Sequence, residues 1–275
     1  MTLTDRIRRA FERGKARGLL KRLRRKARRM KPGAEATVGP YRVKINDGPN
    51  YYVLYKDLFI RRIYHFAADR KAPLIIDGGS NIGLSILYYK SVYPDARIIG
   101  FEPDPAVYPY LEENIRRNGI TDVQLRQAGL AAREGNLTLL SDGACGSALA
   151  PHAARIGTET WTRYEVPCVR LSAFITEPVD MLKLNIEGAE WEVLHEAGER
   201  LHLVRRVLIE YHHLPGLERN LHQILGLLHD QGFTYAINDF DEETNPGCRT
   251  PFALSPESRY FLLVYAERLS QAGRA

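Results

Sequence analysis

Cysteine is scarce in this chain, and the three that occur, Cys145, Cys168 and Cys248, are scattered without a C-x-x-C pair. That excludes a thioredoxin-like redox motif and a cysteine-based zinc module, and it points to a reducing compartment. Long apolar runs are missing too: no stretch approaches the ~18 residues of a membrane-spanning helix. The N-terminus lacks the apolar segment of a secretory signal, so cytoplasmic residence is expected. Acidic residues are nearly absent from positions 1–31, where fourteen Lys or Arg stand against Asp5 and Glu12, a net of +12. The remaining chain holds 25 basic and 31 acidic residues, a net of −6, so the overall +6 belongs to the arm alone. What is present is ample: 275 residues with 44% hydrophobic content can build one sizeable α/β core with a short appendage.

The most informative segment is Leu74-Ile-Ile-Asp-Gly-Gly-Ser-Asn-Ile-Gly83. Leu74, Ile75 and Ile76 are too few for a helix and suit a strand buried on both faces of a parallel sheet. Asp77 ends the strand. Gly78, Gly79 and Gly83 allow a tight turn and close approach of a ligand, and a helical apolar pattern begins at Ile82. Free N–H groups at a helix start favour polar or anionic ligand atoms. A second strand, Arg97 to Phe101, closes on Glu102, which lies 25 positions beyond Asp77. That is about where a nucleotide-binding βαβ unit places the acid that binds ribose hydroxyls. A nicotinamide dinucleotide fits less well, because G-x-G-x-x-G needs glycine where Ser80 and Asn81 stand. A P-loop fails because Leu84, not lysine, follows Gly83. An acid directly before the turn suits a ligand with a cationic end and a ribose, and S-adenosylmethionine has both.

Three blocks, Asp77-Gly-Gly-Ser-Asn-Ile-Gly83, Gly100-Phe-Glu-Pro-Asp-Pro105 and Asp180-Met-Leu-Lys-Leu-Asn-Ile-Glu-Gly-Ala-Glu190, resemble the signature motifs of FkbM-type S-adenosylmethionine-dependent methyltransferases. The resemblance covers roughly residues 71 to 265. It implies a class I methyltransferase fold: α/β and Rossmann-like, with a mostly parallel seven-stranded sheet, helices on both faces and an antiparallel strand near the C-terminus. It also implies methylation of a hydroxyl on a sugar, glycolipid or natural product. The rival readings are an NAD(P)-dependent oxidoreductase and a noncatalytic cofactor-binding scaffold. One departure stands in the third block, where Asn185 replaces the aspartate common in the family; an amide keeps the shape but cannot act as a base.

Candidate cofactor contacts are Asp77, Gly79, Ser80, Asn81 and Gly83 for the turn and methionine side and Glu102 for ribose. The resemblance adds Ala128, after the third strand, for adenine. His212 is the candidate base, since a neutral imidazole can accept a hydroxyl proton near pH 7, with Glu187 and His213 as alternatives. Glu190 has a structural alternative, stabilising the positive end of a helix. No metal is expected: Glu210, His212 and His213 lack a matching ligand set elsewhere.

The chain divides into a basic, partly helical arm at 1–35, a hairpin and helix at 36–70 acting as a lid or packing element, and the cofactor-binding catalytic domain at 71–275. The hairpin is predicted at 39–45 and 51–55 around Asn46-Asp-Gly-Pro-Asn50, and Asp57 is predicted to cap a helix reaching Ala68. Any of residues 36–70, 131–170 and 238–258 can wall the acceptor pocket. Within the arm, Leu3, Ile7 and Phe11, then Leu19, Leu23 and Met30, recur at roughly helical spacing. A basic amphipathic helix of this kind can lie on the anionic inner face of a membrane, which suits it ahead of nucleic acid, and the alternative is a solvated, partly disordered arm or inter-subunit contact. The sequence assigns no oligomeric state.

Overall fold

The computed structural model describes residues 18–144, 146–149, 160–213, 218–239, 253–255, 258 and 260–269. Residues 18–27 are helical (α1), and Glu35–Val38 (β1) pairs antiparallel with Tyr41–Lys44 (β2). This hairpin replaces the one expected at 39–45 and 51–55, because Gly48–Tyr55 is a helix (α2). Asn46-Asp-Gly-Pro-Asn50 is a helix start and not a turn between strands. Asp47 accepts the Asn50 N–H at 2.6 Å, and Pro49, with no N–H to satisfy, occupies the first turn. The helix expected from Asp57 to Ala68 is likewise absent. α2 continues into a π-helical turn, Lys56–Arg61, that stops at Arg62 in the left-handed region, φ 57°. Asp57 is buried in that turn and pairs with Arg61 at 2.9 Å.

Next come Leu74–Gly78 (β3), Leu84–Val92 (α3), Arg97–Phe101 (β4), Tyr108–Arg117 (α4) and Val123–Arg126 (β5), alternating as the apolar pattern predicts. The excursion that follows folds as a separate four-stranded sheet of Gly129–Leu130 (β6), Gly135–Ser141 (β7), Ser147–Leu149 (β8) and Thr162–Val169 (β9). The chain then returns to the main sheet through Met181–Leu184 (β10), Glu190–Glu196 (α5), Arg206–His213 (β11), Leu221–Asp230 (α6), Thr234–Asp239 (β12) and Tyr260–Glu267 (β13). Of the stretch 238–258 named as a possible pocket wall, residues 238–239 end β12, and residues 240–252, 256 and 257 lie outside the described residues.

The main sheet has the order β12-β13-β11-β10-β3-β4-β5. The last five are parallel, and β13 runs antiparallel to both of its neighbours. From β3 the chain winds first toward β5 and then, through β10, the other way. The crevice where the winding reverses is the ligand-binding place of such sheets. Alternation along each strand separates two cores. Ile75, Ile98, Met181, Leu208 and Leu263 face α2, α3 and α4, and Ala27, Val43 and Ile45 join them. Leu74, Ile76, Leu182, Val207, Ile209 and Val264 face α5 and α6. The 36–70 segment is therefore part of one core, continuous with the sheet.

Candidate active site

At the carboxyl ends of β3, β4, β10 and β11 lies a cavity of about 270 Å³. Its floor is the glycine turn. Gly79, at φ 81°, and Ser80 donate their N–H groups to the Phe101 carbonyl oxygen at 3.0 and 2.8 Å. A Cβ on Gly79 would lie 1.9 Å from the backbone oxygen of Asn185, so only glycine lets β3 and β10 close together here. Asn81 is also left-handed, φ 49°, a conformation asparagine tolerates better than most side chains. Its N–H donates to Glu102 Oε2 at 2.8 Å, and the Asp104 N–H donates to Oε1 at 3.0 Å. These bonds fix the Glu102 carboxyl in the cavity wall. Burial pushes its pKa up to about 7 against the lowering effect of the two N–H groups.

Beneath the turn is an ion pair. Lys183, in register with Asp77 on the adjacent strand, brings its ammonium to 3.1 Å from Asp77 Oδ1, and both side chains are essentially buried. The same ammonium donates to the carbonyl oxygens of Gly78 and Gly79 at 2.9 and 2.7 Å. Ser80 and Ser85 donate to Asp77 Oδ2 at 3.0 and 2.6 Å. Asp77 thus does not line the cavity, and the direct ligand contact expected of it is replaced by support of the turn. Gly83 does not line it either: at φ 90° it precedes α3, and a Cβ there would meet Leu111 at 2.9 Å. Gly79, Ser80, Asn81, Glu102 and Ala128 all line the cavity.

The far end of the cavity is built from β10 and β11. Strand β10 stops at Leu184, so Glu187 reaches the cavity through a turn in which it is left-handed, φ 55°. A bulky acid in that region is strained backbone beside a cavity, a combination found at functional sites. Strand β11 extends through His213, and its alternation sends Glu210 and His212 to the cavity face and His213 to the opposite one. His213 packs against the Tyr260 ring at 4.7 Å and does not line the cavity, which removes it from the candidates for the base.

His212 is held between two acids, with Nδ1 at 3.2 Å from Glu190 Oε1 and Nε2 at 3.7 Å from Glu187 Oε2. Burial alone would lower its pKa. The carboxylates of Glu187, Glu190 and Glu210 outweigh this and push it up to about 10. Placed between these acids, His212 is favoured in its charged form, in which both ring nitrogens carry protons, a setting unlike that of the neutral base expected. Burial raises the pKa of Glu187, opposed by His212. Glu190 accepts the Gly188 N–H at 3.0 Å and so braces the turn that presents Glu187.

Several cavity residues escaped the sequence reading. Tyr64 donates to Glu210 Oε1, and Asn185 Nδ2 donates to Oε2 at 2.8 Å, so both oxygens of this buried carboxyl are held. Asn50, from the N-terminal segment, donates to Asn81 Oδ1 at 3.4 Å. Leu54 and Leu58 from the same segment, and Leu139 and Leu149 from the smaller sheet, supply apolar wall. Lys183 also lines the cavity, and a signal for its pairing existed: a lysine between apolar neighbours in the buried strand Met181–Leu184 needs an anion, and Asp77 is the acid at the end of another such strand. Among the described residues no group of three His, Cys, Asp or Glu side chains is arranged to hold a metal ion.

This strand order, with the penultimate strand of the sheet reversed and the cavity at the switch point, defines a class I methyltransferase fold. The family described as "Methyltransferase FkbM domain" matches residues 77–235. The chain is 33% identical over 212 residues to "Methyltransferase sdnD" of Sordaria araneosa, covering 66% of this chain and 81% of that one. It is 26% identical over 214 residues to "31-O-demethyl-FK506 methyltransferase FkbM" of Streptomyces tacrolimicus, with coverage of 66% and 81%. To "2-O-methyltransferase NoeI" of Sinorhizobium fredii it is 23% identical over 159 residues, covering 52% and 65%. The chain belongs to the FkbM methyltransferase family, and its cofactor is S-adenosylmethionine. The nicotinamide reading is set aside.

Proposed function

We propose that this chain methylates a hydroxyl oxygen of a small-molecule or glycan acceptor, such as a sugar, glycolipid or related natural product. The names of two relatives, one a 2-O-methyltransferase and one a 31-O-demethyl-FK506 methyltransferase, support the choice of oxygen. The observation that carries the reading is the Glu187 and His212 pair in one cavity with Gly79, Asn81 and Glu102. These residues fit the cofactor. The Glu102 carboxyl keeps lone pairs for ribose hydroxyls beyond those its N–H partners use, Gly79 leaves the turn open to close approach, and Ala128 with Leu130 offers small apolar wall for a flat base. S-adenosylmethionine supplies, when bound, a methyl group activated by a positive sulfur.

The protein's own task is alignment, exclusion of water and proton acceptance. Glu187 takes the hydroxyl proton, and burial makes its carboxylate a stronger base than an exposed one. His212 positions Glu187 and offsets its charge. Replacing Glu187 by Gln keeps the shape and removes the base, so turnover of labelled S-adenosylmethionine with a hydroxylated cell extract should fall ~10²–10⁴-fold while calorimetric cofactor affinity stays unchanged. Unchanged turnover would contradict the assignment. Cofactor binding without methyl transfer to any extract, by the parent protein, would favour the scaffold reading.

A further inference from the structure

The described part of the basic arm has two faces with different fates. Leu23, Ala27 and Met30, at i, i+4 and i+7, pack into the core that also holds Tyr51 and Leu58. The fit against α2 is close, since a Cβ on Gly48 would lie 1.9 Å from the Ala27 carbonyl oxygen. Of the apolar residues that looked available for insertion into a bilayer, Leu23 and Met30 are thus packed against the protein, and Leu3, Ile7 and Phe11 lie outside the described residues. On the other side, all eight Lys and Arg between positions 18 and 31 are exposed, and that stretch contains no acid. Leu19 stands among them, 56% exposed.

We propose that this cationic face docks the protein on an anionic phospholipid bilayer, and that the attachment is electrostatic and does not insert the helix. Charge complementarity selects the partner: eight exposed cations on one short segment match a surface of anionic headgroups, each near-surface cation contributing to the attraction. Three features favour a bilayer over a nucleic acid. Residues 18–31 contain no aromatic ring on which bases stack. Leu19 can rest at the acyl boundary between the cations. The nearby cavity is lined by Glu102, Glu187 and Glu210, and the cations there, Lys183 and His212, are each paired with acids of the protein, so it is not a cationic groove for a polyphosphate chain. Because α2 walls the cavity through Asn50, Val53 and Leu54 and abuts the end of the docked helix, docking holds that wall beside the bilayer.

The full chain is sedimented with phosphatidylcholine vesicles, with and without phosphatidylglycerol. Binding is expected only with phosphatidylglycerol, and should weaken at least about tenfold as salt rises from about 0.1 M to about 1 M and the screening length shrinks. The quadruple variant Lys21→Glu, Arg22→Glu, Arg25→Glu, Arg29→Glu should lose the binding and keep its calorimetric affinity for S-adenosylmethionine, because none of the four lines the cavity. Equal binding to neutral vesicles, salt-insensitive binding or an unaffected variant would overturn the proposal. So would displacement from the vesicles by a DNA duplex at equal phosphate, which would assign the face to nucleic acid, or a variant that loses cofactor affinity, which would make the face part of the site. Failure of the methyltransferase reading would appear separately, as a parent protein that does not bind the cofactor.

Discussion

Lys183 illustrates how a residue can matter to a site without facing its chemistry. Its ammonium neutralises Asp77 in a nearly water-free position and holds the two carbonyl oxygens from which the glycine turn hangs. Lys183→Met would leave Asp77 buried without its cation, and losing one partner of a buried pair costs about 3–5 kcal/mol; denaturant unfolding checks this, and an unchanged midpoint would refute it. Glu102 makes a prediction about pH. Its pKa is raised to about 7 in the folded protein, so the carboxyl is protonated and a poorer acceptor below that value and charged above it. Affinity for S-adenosylmethionine should therefore strengthen as pH rises from 6 to 8, about the window of that pKa, and calorimetry on Glu102→Gln should show the dependence abolished. The stability sign is opposite. A carboxyl whose folded pKa lies above its unfolded value contributes stability at low pH that is lost as pH rises through 7. At this scale the legible residues were those whose type suffices, such as glycine in a turn or an acid at a strand end. His212 was visible as a cavity residue, but its charge was not, because that depends on Glu187 and Glu190, brought to it from another part of the chain.

Among the elements, the segment from Asn46 to Asn50 is a junction. Asn46 donates to the Ala144 carbonyl oxygen at 2.9 Å, Asp47 caps α2, Gly48 receives the end of α1, and Asn50 reaches Asn81 in the glycine turn. Gly48→Ala forces α1 and α2 apart at a contact of 1.9 Å, too short for any Cβ. Since α2 walls the cavity, the expected result is weaker binding of S-adenosylmethionine, by about tenfold if α2 shift costs ~1.4 kcal/mol; unchanged calorimetric affinity would show that α2 is not seated by this contact. The misplaced hairpin has its explanation in the same five residues. Asp-Gly-Pro-Asn suits both a turn between strands and a capped helix start. Local composition does not separate them, and the choice is made by where Tyr51 and Leu58 find a core.

For the whole molecule, the lid and the catalytic domain prove to be one packing unit. Val38, Val43, Ile45, Tyr51 and Leu58 are almost fully buried in the core shared with α3 and α4. A protein beginning at residue 71 would expose that face of the sheet, and it is expected to show no cooperative thermal transition by circular dichroism; a sharp transition near that of the full chain would contradict the single core. The sequence by itself determined the parallel sheet, the glycine turn, the acid that closes the second strand and the methyltransferase family, because each is written in contiguous residues whose period, φ requirement or charge is a local property. Tertiary structure alone decided that Asp77 supports the turn, that His213 faces away, that His212 sits between Glu187 and Glu190, and that Leu23 and Ala27 of α1 are spent on the core. These depend on which distant strands lie side by side and which face each one turns to the cavity, and a linear sequence does not state that arrangement.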